Sequence, residues 1–454
     1  MAHSGLSSRN ALGRSLIFIA LCAPLASLAS CAAVGGPLLQ PEVNGLVVAG
    51  RPALAAAKIT AGPADYGSGN YVLYHLDRAL ILQLTGDFAG SAASLEKAKA
   101  RDEELYTRSL TNEASTWAVN DNMAPYRAPA YERVLMNVFQ MLNYLQMGQL
   151  DEAIVEARDL DARFPVVPGQ ERRRFEDNGF ARLLAGILYE AAGTPQDLDD
   201  ARIAYTQALA VYDAYYGGKQ VPLVLQQGLI RLAEMSGDAD LGTYRARFPG
   251  VRSGGTRPGA ATVYLIGAAG FSPIRVPEII PVPADRGFIV KITFPRFMRR
   301  LYEAYSSRLV LAGGGWAPVY VDTEPCLDIE ELAARDLESR KAATLSKAVI
   351  RPALKYLVER NQKEAIEKKH GRVTADVFGI FSNLYNIYTE QADLRSWQAL
   401  PARLSVARVE VPAGAYDLRV EDLDQGGAVV SVEDRGPSVL EAGKTYFLVR
   451  RSLR

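Results

Sequence analysis

The sequence is short of the residues that most often carry chemistry or attach a chain to nucleic acid. Its 51 lysines and arginines are balanced by 51 aspartates and glutamates, so no basic excess marks it as a nucleic-acid binder. Histidine and cysteine each occur only three times in 454 residues. A zinc site normally takes three or four His or Cys ligands, which leaves little from which to build one. Neither Gly-x-Ser-x-Gly nor His-Glu-x-x-His occurs, so two common hydrolase signatures are missing. Gly267-Ala268-Ala269-Gly270 and Gly313-Gly314-Gly315-Trp316 lack the ending of a P-loop and the spacing of a dinucleotide site, and both read as turns. The carboxylate runs Glu330-Glu331 and Asp102-Glu103-Glu104 read as solvated helix faces. No catalytic residue, metal ligand or cofactor is expected on these grounds.

What is present begins at the N-terminus. Arg9 and Arg14 precede the apolar stretch Leu16 to Leu21, and no acid occurs before Glu42. Small residues then lead to Leu28-Ala29-Ser30-Cys31. A basic start, an apolar core and a small-residue end describe a secretory signal. The last four residues resemble a bacterial lipobox. That resemblance implies cleavage before Cys31, a diacylglyceryl thioether on its sulfur and an acylated amine. Each buried methylene contributes about 0.8 kcal/mol, so two or three acyl chains would hold the body at a bilayer. Ala32, rather than an aspartate, follows Cys31, and by the same resemblance this implies the outer membrane, facing the periplasm.

Loss of residues 1–30 leaves 49 basic and 51 acidic side chains. No later run reaches the ~20 apolar residues of a membrane helix. Cys22 leaves with the signal and Cys31 is lipidated, so Cys326 stands alone, without a disulfide partner. With no histidine near it in sequence, it reads as a packing residue. About 420 residues exceed one ordinary core, so two or three domains are expected. At 48% hydrophobic residues, they should be globular.

The expected order is a signal at 1–30, a tether at 31–66, a helical repeat domain at 67–249, a linker at 250–261 and a β-rich domain at 262–454. Within 67–249 the periodicity is helical and small residues recur. Ala79, Leu82, Gly86, Phe88, Leu95 and Ala98 form one unit. Tyr144, Gly148, Leu150, Ala153 and Pro165 form a second. Gly186, Tyr189, Gly193, Leu198, Ala201, Tyr205 and Ala208 form a third. These spacings resemble the tetratricopeptide repeat, in which two antiparallel helices approach at small residues. Ala162-Arg163-Phe164-Pro165 recurs as Ala246-Arg247-Phe248-Pro249, and proline stops a helix there. Residues 101–130 read as a non-repeat insert with a loop near Asn120 to Tyr126.

Tyr131-Glu132-Arg133-Val134, Asn143-Tyr144-Leu145 and Ala153 to Arg158 resemble an uncharacterised family of bacterial tetratricopeptide-type lipoproteins. So does the run Glu390 to Trp397 with Leu400-Pro401. The resemblance implies an architecture and an address, and carries no chemistry.

In such repeats the inner face of each first helix lines a concave groove. That projection places Leu73, Leu76 and Leu80, then Leu135, Val138, Leu142 and Leu145, then Phe180, Leu183 and Ile187 on the groove. A bare apolar surface of this size is unusual. Either later helices of the chain fill it, or it receives an amphipathic helix of another protein.

After the linker the period changes to two. Thr262–Ile266, Phe288–Thr293, Arg308–Leu311 and Pro318–Val321 read as strands, as do Leu404–Val411, Tyr416–Glu421, Ala428–Val432 and Thr445–Val449. A sandwich or small barrel is expected. Between the two strand groups, at about 329–395, a helical insertion is expected, with the runs Ile329–Arg360 and Thr374–Gln391. Asp393, Arg395 and Trp397 form a candidate hot spot, since Arg and Trp favour such places. The same residues could instead lock the corner between helix and strand.

The fold class is therefore α+β, helical repeats followed by a β-rich region. The expected function is a lipid-anchored scaffold that binds other envelope proteins and no nucleic acid. Two alternatives stay open: an envelope hydrolase or glycan-binding protein with its site in the C-terminal region, and a lipid or small-molecule carrier using the groove.

Overall fold

The computed structural model describes residues 39–111, 124–163, 178–218, 220–255, 258–283, 289–313, 315–339 and 392–453. It is a mixed α and β structure, with helices in the N-terminal half and sheets in the C-terminal region. The chain is already folded at Leu39. Helix α1 (Leu39–Val48) and helix α2 (Pro52–Ala61) bury Leu39, Val43, Val47, Ala55 and Ile59 in the main core. The expected tether at 31–66 is thus helical and packed over most of its length. Its short, alanine-rich segments gave no strong amphipathic period to read.

Helices α3 (Tyr71–Leu84) and α4 (Phe88–Thr111) pack together, as do α5 (Ala130–Gln146) with α6 (Leu150–Arg163) and α7 (Gly179–Ala192) with α8 (Pro195–Tyr216). Helices α9 (Leu223–Ser236) and α10 (Leu241–Arg247) follow. Local chemistry sets the α7–α8 joint. Gly193 closes α7 at φ 72°, a left-handed conformation that suits glycine. The Thr194 hydroxyl then accepts from the Asp197 N–H at 3.2 Å, with Pro195 in the first turn of α8, a matched N-terminal cap. Tyr205 of α8 lies between Gly186 of α7 and Gly228 of α9; a Cβ added at either would meet its ring at 2.5 Å and 2.6 Å. Ala246-Arg247-Phe248-Pro249 ends α10 as expected, whereas Phe164-Pro165 lies outside the described residues.

Two four-stranded sheets follow. The first has the order β10 (Thr445–Ser452), β1 (Ala260–Ala269), β7 (Arg403–Pro412), β6 (Glu324–Asp328). The second has the order β5 (Trp316–Asp322), β4 (Ser306–Gly313), β8 (Gly414–Leu423), β9 (Val429–Leu440). Strand β1 pairs parallel with β10 and antiparallel with β7. It is buried along nearly its whole length, because its two faces meet different layers. Ala261, Val263 and Leu265 join Leu309, Leu311, Leu418 and Val420 in a core shared with the second sheet. Tyr264, Ile266 and Ala268 join the helical core instead. A strand covered on both sides reads as a continuous apolar run. Gly267 to Ala269, expected as a turn, is part of this strand, and only Gly270 turns, at φ 66°.

A separate ribbon is formed by β2 (Ile274–Pro283) and β3 (Ile289–Met298). Sequence reading passed over β2 because Pro277, Pro281 and Pro283 argue against a strand. Both its strands are edges, where missing N–H donors are tolerated. The short strand β6 was passed over too. Residues 250–255, the first part of the expected linker, pack on the helices: Val251 packs on the main core, and Arg231 Nη1 donates to the Ser253 carbonyl at 2.6 Å. A helix begins at Ile329 and is described to residue 339; the rest of the expected insertion up to residue 391 lies outside the described residues.

Candidate functional site: a strap held between helices and sheet

Residues 392–402 run without helix or strand from the end of the insertion to β7. This strap lies between the helical half and the first sheet, and each side grips its main chain differently. From the helices come two carboxylates. Glu132 Oε1 of α5 accepts the Trp397 N–H at 3.0 Å, and Asp77 Oδ1 of α3 accepts the Ala399 N–H at 3.4 Å. Gln40 of α1 donates to the Ser396 carbonyl at 3.1 Å, and Asn44 to Gln398 Oε1 at 2.8 Å.

From the sheet side come arginines. Arg275 donates to the Arg395 carbonyl at 3.0 Å. Arg300 holds the Gln398 carbonyl, and the Ser272 carbonyl at 2.7 Å. Arg451 reaches the Ala399 carbonyl at 3.4 Å and the Gly270 carbonyl at 2.6 Å. Thus the Trp397 and Ala399 N–H groups face carboxylates, and the Arg395, Gln398 and Ala399 carbonyls face guanidinium groups. Hydrogen bonds with one charged partner are stronger than neutral ones, and they satisfy a buried main chain that has no ladder of its own.

The two carboxylates are fully buried. Asp77 Oδ2 also accepts from Gln40 Nε2 at 2.6 Å and from the Tyr66 hydroxyl at 3.1 Å. Burial pushes its carboxyl up to about 7 despite these donors, since charge is costly away from water. Glu132 accepts from the Tyr126 hydroxyl at 2.5 Å and the Tyr131 hydroxyl at 3.1 Å. Burial raises it as well, against the Trp397 N–H and Tyr126 hydroxyl. Across the strap, burial lowers Arg300 to about 10. Burial, with the neighbouring Arg300 charge, lowers Arg451 to about 9.

The three residues singled out in the strap are all used inside the fold. Asp393 receives Arg395 Nε and Nη2 on its two oxygens, both at 2.8 Å. Arg395 Nη1 donates to Asn70 Oδ1 and to the Ala124 carbonyl, both at 3.0 Å. Trp397 is buried edge-on against Phe139, with centroids 5.8 Å apart. Arg395 and Trp397 are therefore inaccessible, and the hot spot becomes a contact within the chain.

The groove projection is corrected in the same way. Leu73, Leu76, Leu80, Leu135, Val138, Leu142, Leu145, Phe180, Leu183 and Ile187 are all buried in one core with Trp397, Leu400, Leu404 and Val449. An open groove at these positions is excluded because the chain's own strap and first sheet cover them, which also leaves the carrier reading without its pocket. The expected solvated faces need correction too. Asp102 is buried, accepts the Ala128 N–H at 2.8 Å and pairs with Arg133 at 2.9 Å, and Glu330 is buried as well. Cys326 is buried beside a cleft of about 450 Å³ that Tyr212, Val221, Asp328 and Arg403 help to line. Burial raises its thiol far above the usual range. Cys31 and His370 lie outside the described residues.

Sequence reading missed Asp77 and Glu132, although a signal was present. Asp77 shares the helix face of Leu73, Leu76 and Leu80, and Glu132 shares that of Leu135 and Leu142. A lone carboxylate on an apolar stripe needs a partner, and here the partner is the strap. Comparisons with protein-family models, with curated proteins and with solved structures find no match to this chain.

Proposed function

We propose that the protein is a lipid-anchored scaffold of the bacterial envelope, facing the periplasm, that binds other envelope proteins through its outer surfaces. The observation that carries this reading is the strap. Buried carboxylates and arginines grip it from both sides and hold the two halves of the chain together, so the buried chemistry goes into a fixed body. The hairpins α3–α4, α5–α6 and α7–α8 are read as tetratricopeptide-like units, whose small residues let helices meet as Gly186 meets Tyr205. The two facing sheets are read as a sandwich. The lipobox resemblance at Cys31 supports the anchor, and Ala32 supports the outer membrane.

With the concave face filled, partners must use surfaces that remain exposed. Crosslinking of the lipidated protein in whole envelopes, followed by affinity purification, tests this. A defined set of partners whose crosslinks map to exposed residues supports the scaffold. Recovery of the protein alone rejects it.

A second reading, glycan binding, is favoured by one feature. On the outer face of the second sheet, Tyr320, Val310, Arg419 and Asp434 lie in one row across paired strands. They border a depression of about 360 Å³, and Trp316 and Tyr320 are exposed. An aromatic ring flanked by charged hydrogen-bonding groups suits a sugar. Pull-down by purified peptidoglycan that is lost with Tyr320→Ala would select this reading.

A further inference from the structure

The ribbon β2–β3 stands apart from both four-stranded sheets, and it exposes large apolar side chains. Ile279 is 49% exposed, Ile280 46%, Met298 43% and Leu301, just beyond it, 99%. Ile279 and Ile280, being consecutive, point to opposite faces of the ribbon, and exposed apolar side chains on both faces suit an element that enters an apolar environment as a whole. Charge separates it from the rest of the chain. The sequence from 274 to 301 has six basic residues and two acids, within a mature chain of 49 basic and 51 acidic residues. Arg275 and Arg300 turn inward to the strap, whereas Arg296 and Arg299 are exposed.

Its backbone argues against a protein strand as the partner. Pro277, Pro281, Pro283 and Pro295 remove N–H donors from the ribbon. Prolines on edges block the addition of another strand. The same removal lowers the cost of bringing open edges toward lipid, where unpaired donors are expensive.

Position supplies the third argument. Arg275 and Arg300, at the two ends of the ribbon's base, hold the carbonyls of Arg395 and Gln398. Gln398 also receives Asn44 of α1, so the ribbon's base and α1 meet on the same strap. Only residues 32–38 separate α1 from Cys31, a link that spans at most about 25 Å when extended. A body tethered so closely, with a basic and apolar ribbon rooted beside its first helix, presents that ribbon to the bilayer.

We propose that the β2–β3 ribbon is a membrane-contacting element that lies in the interface of a bilayer containing anionic lipid and fixes the orientation of the anchored body. The proposal rests on the lipid-anchor reading for the bilayer's presence, while the contact itself can be tested without the anchor. The mature chain, residues 31–454, is made with Cys31→Ser so that no acyl chain is attached. It is floated with vesicles of phosphatidylcholine, with and without phosphatidylglycerol. The expected result is flotation with the anionic vesicles, weakened at least about tenfold by the combined changes Ile279→Asn, Ile280→Asn and Leu301→Asn. These positions are exposed, so circular dichroism and the unfolding midpoint should stay near wild type. Absence of flotation, or equal flotation of the folded triple variant, overturns the proposal. The mass of Cys31 in protein from envelopes tests the anchor separately. An unmodified cysteine together with ribbon-dependent flotation rejects the anchor and retains the ribbon.

Discussion

The main-chain N–H of Trp397 donates to Glu132 Oε1 at 3.0 Å, joining positions 265 residues apart in sequence. Glu132 has no accessible surface and also accepts from two tyrosine hydroxyls, at 2.5 Å and 3.1 Å. One side chain thereby satisfies three buried donors from α5, the segment before it and the strap. Removal of such an acceptor leaves each donor unpaired at about 1–3 kcal/mol. Glu132→Ala is expected to destabilise the protein by at least about 3 kcal/mol, measured by urea unfolding. Glu132→Gln keeps one acceptor oxygen and should cost clearly less. Equal stability of Glu132→Ala and wild type would show that the strap is not held here.

Trp397 supplies the apolar half of the same attachment. Its ring is buried against Phe139, and its indole N–H finds no acceptor among the described residues. Truncating a buried Trp to Ala costs about 3–5 kcal/mol. Trp397→Ala should therefore lower stability by about that amount, and Trp397→Phe by less, because no indole hydrogen bond is lost. Hydrogen exchange should show the extra opening first in strand β7, which the strap enters.

The joint at Tyr205 gives a prediction of opposite chemistry, in which adding an atom does the damage. The ring is fully buried, and its hydroxyl donates to Glu190 Oε2 at 2.7 Å, which holds it in place. Gly186→Ala puts a Cβ 2.5 Å from that ring, and overpacking costs typically about 1–3 kcal/mol. The double variant Gly186→Ala with Tyr205→Leu should recover part of the loss in thermal unfolding. If Gly186→Ala alone is neutral, the close approach of α7 and α8 is wrong.

The stripe Leu73, Leu76 and Leu80 was legible as a buried helix face because apolar residues three and four apart share one side. What covers it was not legible. The strap has no period of its own, and its hold depends on main-chain groups that carry no sequence signal. Four strands of the outer sheet and three of the inner one were readable from alternation, as was β3. Strand β2 was hidden by its prolines and β6 by its five-residue length. The buried Asp77 and Glu132 were in view on apolar faces. They were not taken as site residues, since the strap N–H groups they hold lie more than 260 positions away.

Asp77 makes the attachment sensitive to pH. Its carboxyl is raised from 3.8 to about 7 in the folded protein by burial, so between these values the folded state binds more protons than the unfolded one. Stability then falls as pH rises through that window, and the contribution present below about 4 is lost by about 7. At 1.36 kcal/mol per pKa unit, this single group accounts for roughly 4 kcal/mol across the interval. Burial shifts Glu132 in the same direction, so the two act together on the strap. Carboxylates held below their usual range act oppositely, as Glu190 is by the Arg231 guanidinium despite its burial, and the net curve mixes both. The discriminating measurement is therefore a difference. Asp77→Asn, which cannot ionise and retains an acceptor for the Ala399 N–H, should be less sensitive than wild type to a rise from pH 5 to pH 7. Its unfolding free energy should gain on wild type across that range. Parallel curves for the two proteins would show that Asp77 is ionised throughout, and that the strap is held by charge at every pH in the window.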